Sequence, residues 1–253
     1  MRLHLLSGGR LRMRRFVYEP SASREETIEL PVSCGLIRHP QGNVLFDTGC
    51  NPEAATDPEA RWGGMARAMV PIFTPQDTVD AQLPLPGLTA DDIDVVVCSH
   101  LHPDHCGCND RFRRATIVCH AAEVAAARAE GAEKIGYLPK EWDQPQGFST
   151  FDGQKDLFGD GRIVLLPMPG HTPGMTCALL GLDGTGQVLL ASDAAPLASN
   201  LEKCLAPKNS WNVALATQAL QEIRRLRDSG MTVILGHDDA QWQSLRKGEE
   251  FFA

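Results

Sequence analysis

Between Cys98 and Asp110 the chain reads CSHLHPDHCGCND, thirteen residues holding three histidines, two aspartates and three cysteines. His100, His102 and Asp104 stand two apart, so in an extended segment their side chains point the same way. Pro103 bars a regular helix before it, and a turn beginning there brings His105 in from a second direction. One face could then serve one metal ion with two histidines, while the turn serves a second with Asp104 and His105. Imidazole with carboxylate suits a borderline-soft divalent ion such as zinc, and a hydrolytic site of that kind keeps a coordination position for water. Cys106 and Cys108 are one residue apart, without the wider spacing of a zinc-knuckle pair, so they and Cys98 read as packed, neutral thiols.

Such a cluster needs elements that converge on it. His100 follows the apolar run VVVC, His171 follows IVLLPMPG, Asp193 follows VLLAS and His237 follows VILG. Each stands just beyond a strand end, and strands of an α/β protein place such positions along one rim. The runs alternate with segments of helical period, which is the pattern of an α/β fold. LPVSCGLIRHPQGNVLFDTG predicts a β-hairpin turning at Pro40 to Asn43. Pro52 to Val70 predicts helix interrupted by Gly63 and Gly64, Thr89 an N-cap, Val95 to Cys98 a buried strand and Ala121 to Ala129 a helix. Further strands are predicted at Ile163–Leu166, Val188–Ala191 and Thr232–Leu235. A helix around Trp211–Arg227 carries Val213, Ala216, Leu220 and Ile223 on one face. Gly131 to Asp152 reads either as a loop or lid near a pocket or as a plain surface loop, with exposed aromatics Tyr137, Trp142, Phe148 and Phe151.

With 253 residues, no Pro/Ser-rich linker and no internal repeat, the chain reads as one domain over 1–253, long enough to bury a sizeable core. Its 43% hydrophobic and 22% charged residues exclude disorder. A net charge of −8, from 24 basic against 32 acidic residues, disfavours a nucleic-acid partner. No apolar run approaches a membrane span, and MRLHLLSGGRLRMRR lacks the apolar stretch of a signal peptide. The eight cysteines are then expected as reduced thiols and the cytoplasm as the compartment.

HLHPDH matches the HxHxDH signature of the metallo-β-lactamase superfamily, and LFDTG, PGHTPG, SDAA and LGHD resemble its other motifs in the expected order. The resemblance covers nearly the whole chain. ELPVSCGLIRHPQGNVLFDTG at the start, and SDAAPL with LGHDDAQW at the end, resemble the N-acyl-homoserine lactonase and pyridoxolactonase branch. The resemblance implies an αββα sandwich, which spacing alone does not reach. It implies two Zn²⁺, or other divalent transition metals, one held by His100, His102 and His171, the other by Asp104, His105 and His237, with Asp193 between them. Hydroxide made available by the metals would open a lactone, and Asp104 would be the catalytic proton carrier to the leaving oxygen. Asp47 would orient a metal-bound group from behind it, a strand-end cap being the other reading.

The partner so implied is a small-molecule lactone or ester, and a homodimer is plausible from the family. Hydrolysis of other carboxylic esters or thioesters stays open, as does a metal-binding or sensing protein without turnover. In the lactonases of this resemblance a tyrosine three residues after the bridging aspartate holds the substrate carbonyl; here that place is Pro196. Either another donor such as Tyr137 takes the role, with Trp142 and Phe148 as further substrate contacts, or the substrate differs. Met175 replaces the branch's second PGH histidine, outside the seven ligands. His4, His39 and His120 carry no matching motif and read as surface or structural residues.

Overall fold

The computed structural model describes the whole chain, Met1–Ala253. The first sheet comprises β1 (Arg2–Arg14), β2 (Thr27–His39), β3 (Gly42–Phe46), β4 (Val70–Pro71), β5 (Val95–Val97), β6 (Thr116–His120) and β7 (Ser149–Phe151), in spatial order β4-β1-β2-β3-β5-β6-β7. The second comprises β8 (Lys155–Asp156), β9 (Ile163–Pro167), β10 (Thr176–Leu182), β11 (Gly186–Ser192) and β12 (Thr232–Leu235), in order β12-β11-β10-β9-β8. The predicted hairpin is β2–β3, antiparallel from Gly35↔Phe46 to His39↔Gly42. From β3 through β5 and β6 to β7 the pairing is parallel. β11 and β12 also run parallel, so Ser192 and Leu235 end at the same rim.

The alternation along the strands sorts the core into layers. Leu3, Leu5, Ile37, Phe46, Val97 and Val118 of the first sheet meet Leu165, Leu180, Val188, Leu190 and Ile234 of the second. Their neighbours on the opposite faces pack outward. Leu189, Ala191, Val233 and Leu235 bury Leu220 and Ile223 of the helix Val213–Asp228, while Leu6, Leu36, Leu45 and Val96 join the short helices covering the first sheet. Each fully buried Leu, Ile or Val contributes about 1.5–3 kcal/mol relative to exposure, so two sheets with two apolar faces each demand a helical layer on either side. The result is the αββα sandwich.

Several local expectations are revised. The helix expected over Pro52–Val70 is two short ones, Pro52–Thr56 and Pro58–Trp62, followed by a 3-10 turn at Gly63–Arg67. Pro58 causes the break: it starts the second helix, and Asp57 before it leaves helical geometry to cap that helix through Ala60 N–H. Val213 does not join the buried stripe; it begins its helix 58% exposed, while Ala216, Leu220 and Ile223 bury. Gly131–Asp152 is no open loop, since it holds the helix Pro139–Trp142 and β7. Its aromatics were expected to be exposed, yet Tyr137, Trp142 and Phe151 are buried and Phe148 is half-buried.

Candidate metal centre

Seven side chains converge at one rim of the sandwich. His100 stands three residues beyond β5's last pair, His171 lies between β9 and β10, Asp193 directly follows β11, and His237 lies just past β12. Asp104 and His105 sit on a one-turn helix, Pro103–Cys106, that starts at the proline and therefore turns them away from His100 and His102. His100, His102 and His171 bring ligand atoms within 4.8 Å of one another, as do Asp104, His105 and His237, and as do His100, His105 and Asp193. Asp193 thus faces both groups: Oδ2 is 3.2 Å from His171 Nε2, and Oδ1 is 2.8 Å from His237 Nε2 and 3.2 Å from His105 Nε2.

Supporting atoms set which nitrogen faces inward. His105 Nδ1 lies 2.9 Å from Asp47 Oδ2, an acceptor, so this nitrogen carries the proton. His237 Nδ1 likewise donates to the Pro31 carbonyl at 2.9 Å. Both Nε2 atoms then present lone pairs, 3.3 Å apart, toward Asp193 Oδ1, which has no hydrogen-bond donor although buried. Three converging acceptors without a proton between them are repulsive unless a cation sits there. The donor set of imidazoles and carboxylates fits a divalent metal ion.

The electrostatics agree. Burial pushes His100 well below its usual range, aided by the neighbouring imidazoles, pushes His102 down and takes His171 to about 3. These three are neutral, as ligands must be. Burial acts the same way on His105 and His237, but is outweighed by Asp104, Asp193 and Asp47 around His105 and by Asp193 beside His237, so both are raised. Burial would raise Asp193; His237, His171 and His105 hold it well below the ordinary carboxylate range. Excess negative charge in this half draws in protons that a metal ion would replace.

Asp47 is the hub behind the centre. Fully buried, it accepts hydrogen bonds from Ser99 N–H at 2.7 Å, Ser99 Oγ at 2.8 Å and Ser192 Oγ at 3.1 Å, besides His105. Its φ of 62° is left-handed, unusual for a non-glycine residue, and its four side-chain hydrogen bonds from three residues stabilise that conformation. Since Ser99 gives its proton to Asp47, its oxygen is free to accept from His100 Nδ1 at 3.0 Å, which turns His100 Nε2 inward. The sequence pointed to Asp47 but not to Ser99, Ser192 or the Pro31 carbonyl. The serines adjoin His100 and Asp193, and that adjacency was the only signal available.

The expected substrate residues separate. Tyr137 joins His102, His171, Thr172, Ser210, Lys208, Trp211 and Ile135 around a cavity of about 370 Å³ against the metal centre. Gly136, at φ 110°, allows the approach: a Cβ there would lie 2.8 Å from His102 Cδ2. Trp142 and Phe148 are not part of this cavity. Their rings pack together, centroids 6.3 Å apart, within the core beneath the first sheet's outer helices. Pro196 is buried and its carbonyl accepts the His237 amide at 2.9 Å, so it helps to place that histidine. All eight cysteines are free thiols. His4 contacts the Gly248 carbonyl, His39 pairs with Asp160 and His120 caps the helix Ala121–Ala127.

Residues 27–237 match the family described as the Metallo-beta-lactamase superfamily. The N-acyl homoserine lactonase AttM of Rhizobium radiobacter is 31% identical over 261 residues, spanning 100% of this chain and 99% of its own. The protein of the same name from Azorhizobium caulinodans is 30% identical over 259 residues, spanning 100% and 98%. Among solved structures, an N-acyl homoserine lactone hydrolase with the product N-hexanoyl-L-homoserine bound at its catalytic metal center superposes with a TM-score of 0.89. It is 24% identical, with 99% of this chain and 98% of that one covered, a likeness of fold.

Proposed function

The chain belongs to the metallo-beta-lactamase superfamily, and from that premise we propose that it is a dinuclear zinc hydrolase that opens the ring of a lactone of the N-acyl homoserine lactone kind. The observation that carries this reading is the set of seven buried or rim-facing His and Asp side chains in two groups joined by Asp193. The full-length relatives named as N-acyl homoserine lactonases support the lactone as substrate. His100, His102 and His171 would hold one ion, Asp104, His105 and His237 the other, with Asp193 reaching both. Divalent ions held there would supply Lewis acidity, making hydroxide available at neutral pH and polarising a carbonyl.

The chain's own residues do the rest. His105 and His237 are locked by Asp47 and the Pro31 carbonyl, so their Nε2 atoms are already oriented for the ion they would hold. Asp104, its carboxylate only slightly exposed at the rim, receives a proton and passes it to the leaving oxygen. Burial pushes the Tyr137 phenol far above its usual range, so at neutral pH it remains a hydrogen-bond donor for a substrate oxygen. Pro196 offers no hydroxyl, which leaves Tyr137, Thr172 and Ser210 as the hydroxyl side chains around the cavity. No helix is long and apolar enough to cross a membrane.

A panel of γ-lactones, linear esters, thioesters and β-lactams on zinc-loaded protein tests the reading. Acid release in a pH-stat with acylated γ-lactones is the expected result. Turnover of linear esters alone would reassign the protein as an esterase.

A further inference from the structure

Glu123 has no place in the reaction described above, yet it is fully buried beside the metal centre. It lies in the first turn of the helix Ala121–Ala127, where an acid ordinarily faces solvent and the helix dipole. Here its Oε1 accepts Leu101 N–H at 3.0 Å and its Oε2 accepts Gly174 N–H at 2.9 Å. Leu101 stands between His100 and His102, in the segment that follows β5 of the first sheet. Gly174 stands three residues after His171, in the segment between β9 and β10 of the second sheet. One carboxylate therefore ties together the two segments that bring His100, His102 and His171 to one point.

The contact is built closely. A Cβ on Gly174 would sit 2.4 Å from both Cβ and backbone N of Glu123, so only glycine lets the segments meet. The buried Tyr137 hydroxyl lies beside Glu123 and Thr172. Within this group only His100 is held through its imidazole, by Ser99 Oγ at 3.0 Å; the imidazoles of His102 and His171 meet only other ligand histidines, His102 Nδ1 lying 3.1 Å from His100 Nε2 and 3.1 Å from His171 Nε2.

We propose that Glu123 is a positioning residue that clamps the Leu101 and Gly174 backbones and thereby sets the geometry of the His100, His102 and His171 group, leaving the Asp104, His105 and His237 group untouched. The inference rests on the two-ion reading above. Its test is zinc binding to full-length protein carrying Glu123→Gln, which replaces one acceptor oxygen with a donor that cannot bond an N–H. In a His237→Ala background, which retains the first group, Glu123→Gln should weaken zinc binding about 10–100-fold. In a His171→Ala background, which retains the second, it should change nothing beyond twofold. Amide exchange at Leu101 and Gly174 in the metal-free protein gives a second readout, and faster exchange at both is expected. Equal weakening in both backgrounds would reduce Glu123 to general stability and overturn the clamp. So would unchanged affinity with unchanged exchange. Should Glu123→Gln fail to fold, Gly174→Ala pushes the same segments apart and carries the same expectations. Wild-type protein that takes up fewer than two zinc ions would overturn the two-ion reading itself, an outcome separate from any effect at Glu123.

Discussion

The two halves of the centre are held in different ways. In the half formed by Asp104, His105 and His237, both imidazoles are pinned individually, His105 by Asp47 and His237 by the Pro31 carbonyl. In the half formed by His100, His102 and His171, only His100 has a support of this kind, through Ser99; the rest is arranged through backbone ties to Glu123. The first arrangement orients side chains and surrounds them with negative charge, which raises His105 and His237. The second orients segments from two different sheets and keeps its histidines neutral. It is also the half that borders the cavity through His102 and His171. A strongly charged half, each imidazole pinned, thus adjoins a neutral half that opens to the cavity.

The largest effect on that comparison is expected where the halves meet. Asp193→Ala should empty both halves and abolish turnover, beyond the roughly 100-fold that losing a supporting residue costs. A metal-replete, active variant, measured by zinc content and lactone turnover, would show that Asp193 joins nothing. Asp47→Asn keeps the shape but weakens the acceptor for His105 Nδ1, and should lower zinc affinity about 10–100-fold in the His105 half, with a smaller loss in the other half, which Asp47 reaches only through Ser99 and His100. Competition with a chelator in the His171→Ala and His237→Ala backgrounds reads this directly, and an equal loss in both would erase the distinction between the halves.

Much of the centre is legible in the chain because its pieces are. HLHPDH carries four ligand candidates in one stretch, and Pro103 marks where their direction changes. His171, Asp193 and His237 announce themselves by standing after apolar runs. Glu123 does not, since an acid in the first turn of a helix is ordinary, and its burial follows from the way two sheets stack. The aromatics between Gly131 and Asp152 mislead for a related reason. Prolines and glycines there suggest an open loop, while contacts with residues distant in sequence bury Tyr137 and Trp142. Val213 fits the apolar stripe of its helix, but lies at the first helical position and stays exposed, the burial beginning a turn later at Ala216.

Smaller effects sharpen the contrast at the cavity. Tyr137→Phe removes one hydroxyl from the wall and should raise KM about fivefold to tenfold, as expected for one hydrogen bond, with zinc content unchanged. An unaltered KM in steady-state kinetics would exclude Tyr137 from substrate binding. Trp142→Ala should leave KM and zinc affinity as they are while costing about 3–5 kcal/mol of stability in chemical denaturation, because it vacates the core and not the cavity.

The central claim is that two halves, built differently, hold two ions. Its most direct measurement is the zinc content of the full-length protein after reconstitution and removal of loosely bound metal. The account predicts two zinc ions per chain; a content of one or none would contradict it.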